Sequence, residues 1–202
     1  MEKIININSD FEEYKKAFLK ENAKHNLISK NDEKYLYEKH IYDSLGIKLF
    51  FDKYDINNAE ILDIGCGGGF PCIPIAIEYK DFKITGIDSI QKKINSVRHI
   101  SEKLGLKNLN FLCDRVENLK NKKFDIVISR AVADMSKISN YALPLVKKNG
   151  YFIAYKSKKA LEELEKAKPI LKKYNAKVLE IIEYKLPLDD VYQRNLICVQ
   201  KF

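Results

Sequence analysis

The sequence predicts an α/β fold: a mostly parallel seven-stranded sheet with helices on both faces and an N-terminal helical cap. From residue 59 onwards, short apolar runs alternate with segments in which apolar residues recur at helical spacing. Repeated strand–helix units of this kind build a parallel sheet that is covered on both sides. Four of the chain's eight glycines lie within five residues directly after the first apolar run, where such sheets place a sharp turn or a ligand site.

Two helices are expected before the sheet, and residues 1–50 are predicted to form the cap. Residues 11–22 carry apolar side chains at helical spacing, which predicts the first helix. Apolar residues recur every three or four positions over residues 33–50 as well, and this pattern predicts a second helix.

Residues 51–202 are predicted to form one compact domain. Its strands are expected at residues 61–64, 83–88, 109–113, 124–129, 151–155, 178–184 and 195–200. Its helices are expected at residues 71–79, 91–104, 136–147 and 159–174. Residues 124–129, FDIVIS, are almost continuously apolar, which is typical of a strand buried on both faces. No helix separates the last two strands, so we expect them to be antiparallel neighbours.

Composition favours a folded, soluble protein, and we expect a cytoplasmic monomer. The chain has 202 residues, of which 46% are hydrophobic, enough for the core of one domain. No apolar run approaches the roughly 20 residues that span a bilayer, and the first residues lack the order of a secretory signal. Four cysteines without a CxxC pair, beside only three histidines, predict reduced thiols and no metal site.

The glycine cluster has the spacing Gly65-x-Gly67-x-Gly69. A dinucleotide fingerprint requires a third glycine at position 70, which is Phe70, and a P-loop requires Gly-Lys-Ser/Thr, which is absent. The spacing is similar to the S-adenosylmethionine loop of Rossmann-like methyltransferases. The alternative is a tight strand-to-helix turn without a ligand, which so many glycines in five residues disfavour.

Acidic residues follow the next strands. Asp88 lies 23 residues after Gly65, where a carboxylate accepts hydrogen bonds from the ribose hydroxyls of an adenosine ligand; the alternative is a cap on the following helix. Asp63 is expected either to fix the glycine loop or to meet the amine of a bound methionine group. Residues 114–117 follow the third strand, where either an adenine ring is held or a helix simply begins.

Six motifs of the chain occur together in one enzyme family. They are Asn26-Leu27, residues 39–44 (KHIYDS), 63–74 (DIGCGGGFPCIP), 87–89 (IDS), 115–117 (RVE) and 124–133 (FDIVISRAVA). This combination resembles the RsmG (GidB) family, bacterial 16S rRNA methyltransferases that modify N7 of a guanosine near the decoding site. Cys72 and Ser157 stand where the family usually has glycine.

The resemblance implies an enzyme that transfers a methyl group from S-adenosyl-L-methionine to N7 of a guanosine in 16S rRNA. It carries the family's cofactor contacts over to matching positions of this chain, with Asp88 as the ribose-binding acid. The predicted cofactor-binding residues are Gly65, Gly67, Gly69, Phe70, Asp88, Val116, Glu117 and Arg130. Lys156 matches a family lysine that follows the fifth strand.

The residues after the fourth strand fit an acceptor that needs no general base. Ser129-Arg130-Ala131-Val132 has neither the Asn/Asp-Pro-Pro-aromatic motif of amino-group methyltransferases nor the Pro-Cys nucleophile of cytosine C5 enzymes. Guanine N7 carries an in-plane lone pair and no proton, so alignment with the methyl carbon is the main requirement, and orientation accounts for up to ~7–11 kcal/mol of a barrier.

Arg130 and Lys156 are the predicted catalytic residues. An arginine at a strand end is suited to bind guanine O6, an RNA phosphate or the methionine carboxylate. The alternatives are an ion pair of Arg130 with Glu117 or Asp134, and a solvated Lys156 without a role.

The net charge of +8 suits a polyanionic partner, and residues 147–185 hold eleven lysines against five glutamates. The alternative is a solvated lysine face. The expected partner is 16S rRNA or the small-subunit particle, with no membrane. Two other functions remain open: a methyltransferase of the same fold with another substrate, and a non-catalytic RNA-binding assembly factor with a relic cofactor pocket.

Overall fold

The computed structural model describes residues 9–119, 122–157, 160–188 and 192–202. Its strands are β1 (Glu60–Ile64), β2 (Lys83–Asp88), β3 (Leu109–Cys113), β4 (Phe124–Arg130), β5 (Val146–Lys156), β6 (Ala176–Lys185) and β7 (Gln193–Lys201). Within the described residues these strands form one sheet of seven in the order β3-β2-β1-β4-β5-β7-β6. The first five strands pair in parallel, whereas β7 is antiparallel to both β5 and β6. The predicted sheet, with its antiparallel final pair, is confirmed.

The middle of the sheet is formed by β1 and β4, whose side chains are buried on both faces. Ile61 and Ile126 lie in the apolar cluster on one face, and Leu62 and Val127 lie in the cluster on the other. In the strand order, β2 lies on one side of β1 and β4 on the other, so the order of the strands along the sheet reverses at β1. In sheets of this kind, that reversal opens a crevice at the carboxyl ends of the strands.

The cap consists of α1 (Ser9–His25), α2 (Lys30–Glu33), a π-helical turn (Leu36–Tyr42), α3 (Asp43–Leu45) and α4 (Lys48–Lys53). The prediction of one continuous helix over 33–50 is wrong, because turns at residues 34–35 and 46–47 interrupt it and its middle part is a π-helical turn. Asp43 directly follows this π-helical turn and is 2% exposed. The predicted division after residue 50 falls inside α4. None of the helices in the described ranges has the length and apolar character needed to cross a bilayer.

In the part of the chain that the structure describes, four helices follow the cap and cover the two faces of the sheet: α5 (Cys72–Glu78), α6 (Gln91–Lys103), α7 (Met135–Ala142) and α8 (Ala160–Lys173). Residues of α5 and α6 share one apolar cluster with the cap, and residues of α7 and α8 belong to the other. The helix predicted at 136–147 ends earlier, because a 3-10 turn, Leu143–Leu145, contains Pro144 and leads directly into β5. The predicted start of the last helix at Lys159 lies outside the described residues.

Candidate functional site

A cavity of about 400 Å³ opens at the carboxyl ends of β1, β2, β3 and β4. Its wall is built by the residues that follow these four strands, together with one face of α7. The lining residues are Ile64, Gly65, Ile87, Asp88, Ser89, Asp114, Arg115, Val116, Glu117, Val132, Ala133, Lys137 and Tyr141. This is the position in which open α/β sheets bind their ligands.

The glycine loop forms the part of the wall next to β1. Gly65 has a φ of +72°, and its amide donates a hydrogen bond of 2.8 Å to the Ile87 carbonyl of β2. A Cβ on Gly65 would lie only 2.5 Å from a methyl carbon of Val132, which follows β4. Both the backbone conformation and the close approach of the two loops therefore require glycine at this position.

The Asp88 carboxylate lies on the cavity wall and is held by two backbone amides. One oxygen accepts from the Gly67 amide at 3.0 Å, and the other accepts from the Ile90 amide at 2.9 Å. Because each carboxylate oxygen has a second lone pair, Asp88 keeps acceptor capacity toward the cavity. The alternative role, a cap on the following helix, is also partly present, because Asp88 accepts from the Ile90 amide in the turn just before α6.

Val116 and Glu117 also line the cavity, on a 3-10 turn that follows β3. Lys137 and Tyr141, which sequence reasoning missed, line the same cavity. These two residues lie four positions apart in α7 and therefore share one face of the helix. That spacing, directly after the loop that follows β4, is the signal by which they could have been found.

Arg130, at the end of β4, is bound to residues of the cap. Its Nη1 donates to the Asp43 carboxylate at 3.0 Å and to the Lys39 carbonyl at 3.1 Å. The alternative, an ion pair with Glu117 or Asp134, is not found among the described residues: Arg130 pairs with Asp43, and Asp134 caps α7.

His40 completes the surroundings of Arg130. The Nη2 atom of Arg130 lies 3.1 Å from Nδ1 of His40, and since arginine only donates, Nδ1 is the acceptor and Nε2 carries the proton. Burial, and after it the charge of Arg130, lowers the pKa of His40 to about 4, so the ring is neutral near pH 7. Nε2 of His40 is buried without a hydrogen-bond partner in the described structure.

Asp43 also ties β7 to this cluster. It accepts hydrogen bonds of 2.9 and 3.0 Å from Arg194, and one of 2.6 Å from the Tyr184 hydroxyl. Burial alone would raise the pKa of Asp43, but the charges of Arg130 and Arg194 outweigh it and hold the pKa below its usual value. The cluster therefore contains a carboxylate between two guanidinium groups.

Asp63, inside β1, is fully buried beneath the glycine loop. One of its oxygens accepts from the Cys72 amide at 3.2 Å, and the other has no partner among the described residues. Burial raises the pKa of Asp63 to about 7. This geometry favours the expected role in fixing the loop, because the contact joins β1 to the first turn of α5.

Four residues predicted to bind the cofactor line the cavity: Gly65, Asp88, Val116 and Glu117. Gly67, Gly69, Phe70, Arg130 and Lys156 are not part of its lining. Phe70 is 5% exposed and lies beneath the guanidinium of Arg130, whose central carbon is 5.2 Å from the ring centre. Direct contacts of these five residues with a ligand remain predictions.

Solved structures show which class of protein has this fold. TYW2 from M. jannaschii, solved in complex with AdoMet, superposes with a TM-score of 0.59 at 18% identity over 72% of this chain and 70% of that chain. The ribosomal protein L11 methylase of Lactobacillus delbrueckii gives 0.61 at 12% identity, over 81% and 79%. The chain has the Rossmann-like fold of S-adenosylmethionine-dependent methyltransferases.

Sequence comparison assigns the family. The family model described as rRNA small subunit methyltransferase G (GidB) matches residues 7–197. The ribosomal RNA small subunit methyltransferase G of Oceanobacillus iheyensis is 44% identical over 186 residues, which cover 89% of this chain and 76% of the relative. The Staphylococcus saprophyticus protein of the same name is 40% identical over 195 residues, covering 95% and 80%. The chain belongs to the rRNA small subunit methyltransferase G family, as its motifs predicted.

Proposed function

We propose that this chain transfers a methyl group from S-adenosyl-L-methionine to N7 of a guanosine in 16S rRNA of the small ribosomal subunit. The observation that carries the proposal is the cavity at the carboxyl edge of the sheet, which joins the glycine loop to the Asp88 carboxylate. Membership in the methyltransferase G family supports the ribosomal substrate.

The lining of the cavity fits an adenosine ligand that carries a methionine chain. Its volume of about 400 Å³ lies within the ~300–1,000 Å³ of ordinary small-molecule sites. Asp88 would accept from the ribose hydroxyls, and the turn at Val116 and Glu117 would hold the adenine. The absence of a side chain on Gly65 leaves room for the ligand against the backbone, and a Cβ there would close the gap to Val132.

When bound, S-adenosyl-L-methionine supplies a methyl group activated by a positively charged sulfur. Guanine N7 presents a lone pair and no proton, so the protein needs no general base. Its task is to align N7 with the methyl carbon and the sulfur, and to exclude water from the cavity.

Arg130 is proposed as the residue that meets the ligand at the end of β4. Its guanidinium has five N–H donors, and three of them are engaged by Lys39, Asp43 and His40. The remaining two have no partner in the described part of the chain and suit a carboxylate or guanine O6. The side chain is 12% exposed, so these donors act at the edge of the site rather than in bulk water.

The test is detection of N7-methylguanosine in 16S rRNA by borohydride–aniline cleavage followed by primer extension. We expect a stop in RNA from the parent strain, loss of this stop in a strain that lacks the gene, and its return when the intact gene is restored. Complementation of the deletion strain with a gene that encodes Asp88→Asn is the matched comparison, and it should restore the stop only weakly. The same stop in parent and deletion strains would contradict the proposal.

A further inference from the structure

The loop after β4, residues 131–134, contributes to the cavity wall beside the glycine loop. Val132 and Ala133 line the cavity, and Val132 lies directly over Gly65. Ala131 adopts a left-handed backbone with a φ of +57°, which a non-glycine residue keeps only when its surroundings enforce it. The contacts that hold this loop therefore shape the site.

Lys156 and Glu163 hold the far end of this loop. Nζ of Lys156, at the end of β5, donates to the Ala133 carbonyl at 2.6 Å and to the Glu163 carboxylate at 2.6 Å. The same carboxylate oxygen of Glu163, on α8, accepts from the Met135 amide at 2.9 Å, in the first turn of α7. The side chains of Lys156 and Glu163 thus hydrogen-bond to the Ala133 carbonyl and the Met135 amide, the backbone groups on either side of residue 134.

The arrangement makes Lys156 a poor ligand for RNA phosphate. Its side chain is only 11% exposed, and Glu163 neutralises its charge at contact distance. To bind a phosphate, the amine would have to leave a half-buried carboxylate and a backbone carbonyl, and both would lose the hydrogen bond it donates.

We propose that Lys156 and Glu163 form a positioning pair that fixes residues 133–135 and thereby the wall of the S-adenosylmethionine cavity. The inference rests on the proposed function of that cavity. It gives Lys156 a role different from direct contact with base or phosphate, and it assigns a role to Glu163, which no motif of the sequence indicated.

The test compares Lys156→Met, Glu163→Gln and the double variant in two measurements. Calorimetry gives the Kd for S-adenosyl-L-methionine, and methyl transfer to small subunits from the deletion strain gives the KM for the ribosomal substrate. Lys168 and Glu165 provide the matched control, because they form another 2.6 Å pair on α8 that is about two-thirds exposed and lies outside the cavity lining. Lys168→Met and Glu165→Gln should change neither constant.

We expect each single variant to raise the Kd for S-adenosyl-L-methionine about tenfold, the scale of one charge-assisted hydrogen bond. The double variant should bind no more weakly than the weaker single variant, because the two side chains act as one unit. Lys156→Arg should recover most of the affinity, and the KM for the small subunit should stay within about twofold.

An unchanged Kd for S-adenosyl-L-methionine in both single variants would overturn the inference, and so would additive losses of binding free energy in the double variant. A raised KM for the small subunit with an unchanged Kd would also overturn it, because Lys156 would then be an RNA contact. If Lys156→Met does not fold, Glu163→Gln and Lys156→Arg decide by the same criteria. Failure of the wild-type chain to bind S-adenosyl-L-methionine would instead refute the proposed function.

Discussion

At the scale of single residues, Asp88 connects the glycine loop to the ligand proposed for the cavity. Its two oxygens already accept from the Gly67 and Ile90 amides, so the carboxylate is held in place before any ligand arrives. Such preorganisation lowers the entropic cost of binding. The ribose hydroxyls would meet an acceptor that does not have to reorient.

Replacing Asp88 by Asn should therefore weaken S-adenosyl-L-methionine binding by about 10–100-fold, since one acceptor oxygen becomes a donor and the charge is lost. Calorimetric titration checks the value. Asp81→Asn is the control, because Asp81 is an exposed residue before β2, at the opposite edge of the sheet. Equal affinities for the Asp88 variant and the wild type would refute ribose binding by this carboxylate.

Asp63 gives a pH-dependent prediction. Its folded-state pKa of about 7 lies above the ordinary value of 3.8, so between these values the folded chain holds a proton that the unfolded chain has released. The contribution of Asp63 to stability is therefore lost as pH rises from about 4 to about 7.

In Asp63→Asn, an uncharged amide replaces the carboxyl, and its oxygen still accepts from Cys72. We expect the free energy of unfolding of this variant to fall less between pH 5 and pH 8 than that of the wild type. Urea unfolding of both proteins at the two pH values measures the difference, and the opposite contribution of His40 cancels in the comparison. Parallel pH profiles would show that Asp63 is not protonated in the folded protein.

Most residues of the site that sequence reasoning found lie in loops with unusual composition. Gly65 directly follows β1 and Asp88 is the last residue of β2, and both stand out from their apolar neighbours, so their place at the carboxyl edge could be predicted. Glu163 could not, because it belongs to an ordinary amphipathic helix. Its role depends on how α8 packs beside β5 and α7, and local periodicity contains no information about that packing.

At the scale of elements, the close approach of the loops after β1 and β4 decides the shape of the cavity. Gly65→Ala introduces a Cβ 2.5 Å from Val132 at a φ of +72°. Gly105→Ala is a matched control, because Gly105 has a φ of +63° but no atom within 4 Å of the position that a Cβ would take. The difference between the two variants isolates the collision from the backbone strain.

We expect Gly105→Ala to lower the free energy of unfolding by about 1 kcal/mol and to leave ligand binding unchanged. Gly65→Ala should lower stability further and weaken S-adenosyl-L-methionine binding at least about tenfold, because Val132 has to move into or away from the cavity. Chemical unfolding and calorimetry measure the two effects. Wild-type affinity in Gly65→Ala would show that the approach of these loops does not shape the ligand site.

The strands of the sheet could be predicted because each combines an apolar run with a turn signal. The packing of the cap could not, because its buried polar contacts involve partners far away in the sequence. Asp43 pairs with Arg130 and Arg194, which lie 87 and 151 positions further along the chain. Apolar spacing over 33–50 indicates helix correctly, but it shows neither the turns at residues 34–35 and 46–47 nor the partners of a buried carboxylate.

The lysines of segment 147–185 lie at both ends of the strands, some at the carboxyl ends and some at the amino ends. Lys156 lies at the carboxyl end of β5. Lys172 and Lys173 lie in the last turn of α8, just before β6 begins at the opposite end of the strands. RNA that reaches the cavity approaches the carboxyl edge. The total charge of the segment therefore does not by itself define an RNA surface, and a docking role for its lysines remains a prediction.

At the scale of the whole molecule, the Asp43 cluster joins the cap to the sheet. The side chain of Asp43 is 2% exposed and contacts Arg130 from β4 and Arg194 from β7. The cap and the helices α5 and α6 also share one apolar cluster. We expect residues 1–50 and 51–202 to unfold together rather than as separate units.

Asp43→Asn should lower the free energy of unfolding by about 3 kcal/mol, because it leaves two partly buried guanidinium groups without their buried carboxylate. Tyrosine fluorescence and far-ultraviolet circular dichroism should report one coincident transition in both proteins. Asp52→Asn, an exposed cap residue that pairs with Lys48, is the control and should change stability by less than about 1 kcal/mol. Two separate transitions in the wild type would mean that the cap folds independently.

The central claim is that the cavity at the carboxyl edge binds S-adenosyl-L-methionine, and calorimetric titration of the purified chain tests it most directly. We expect saturable binding with one site per chain, weakened in Asp88→Asn and unchanged in Asp81→Asn. A titration that gives only the heat of dilution would contradict the claim and would favour an assembly factor that has kept the fold without the cofactor.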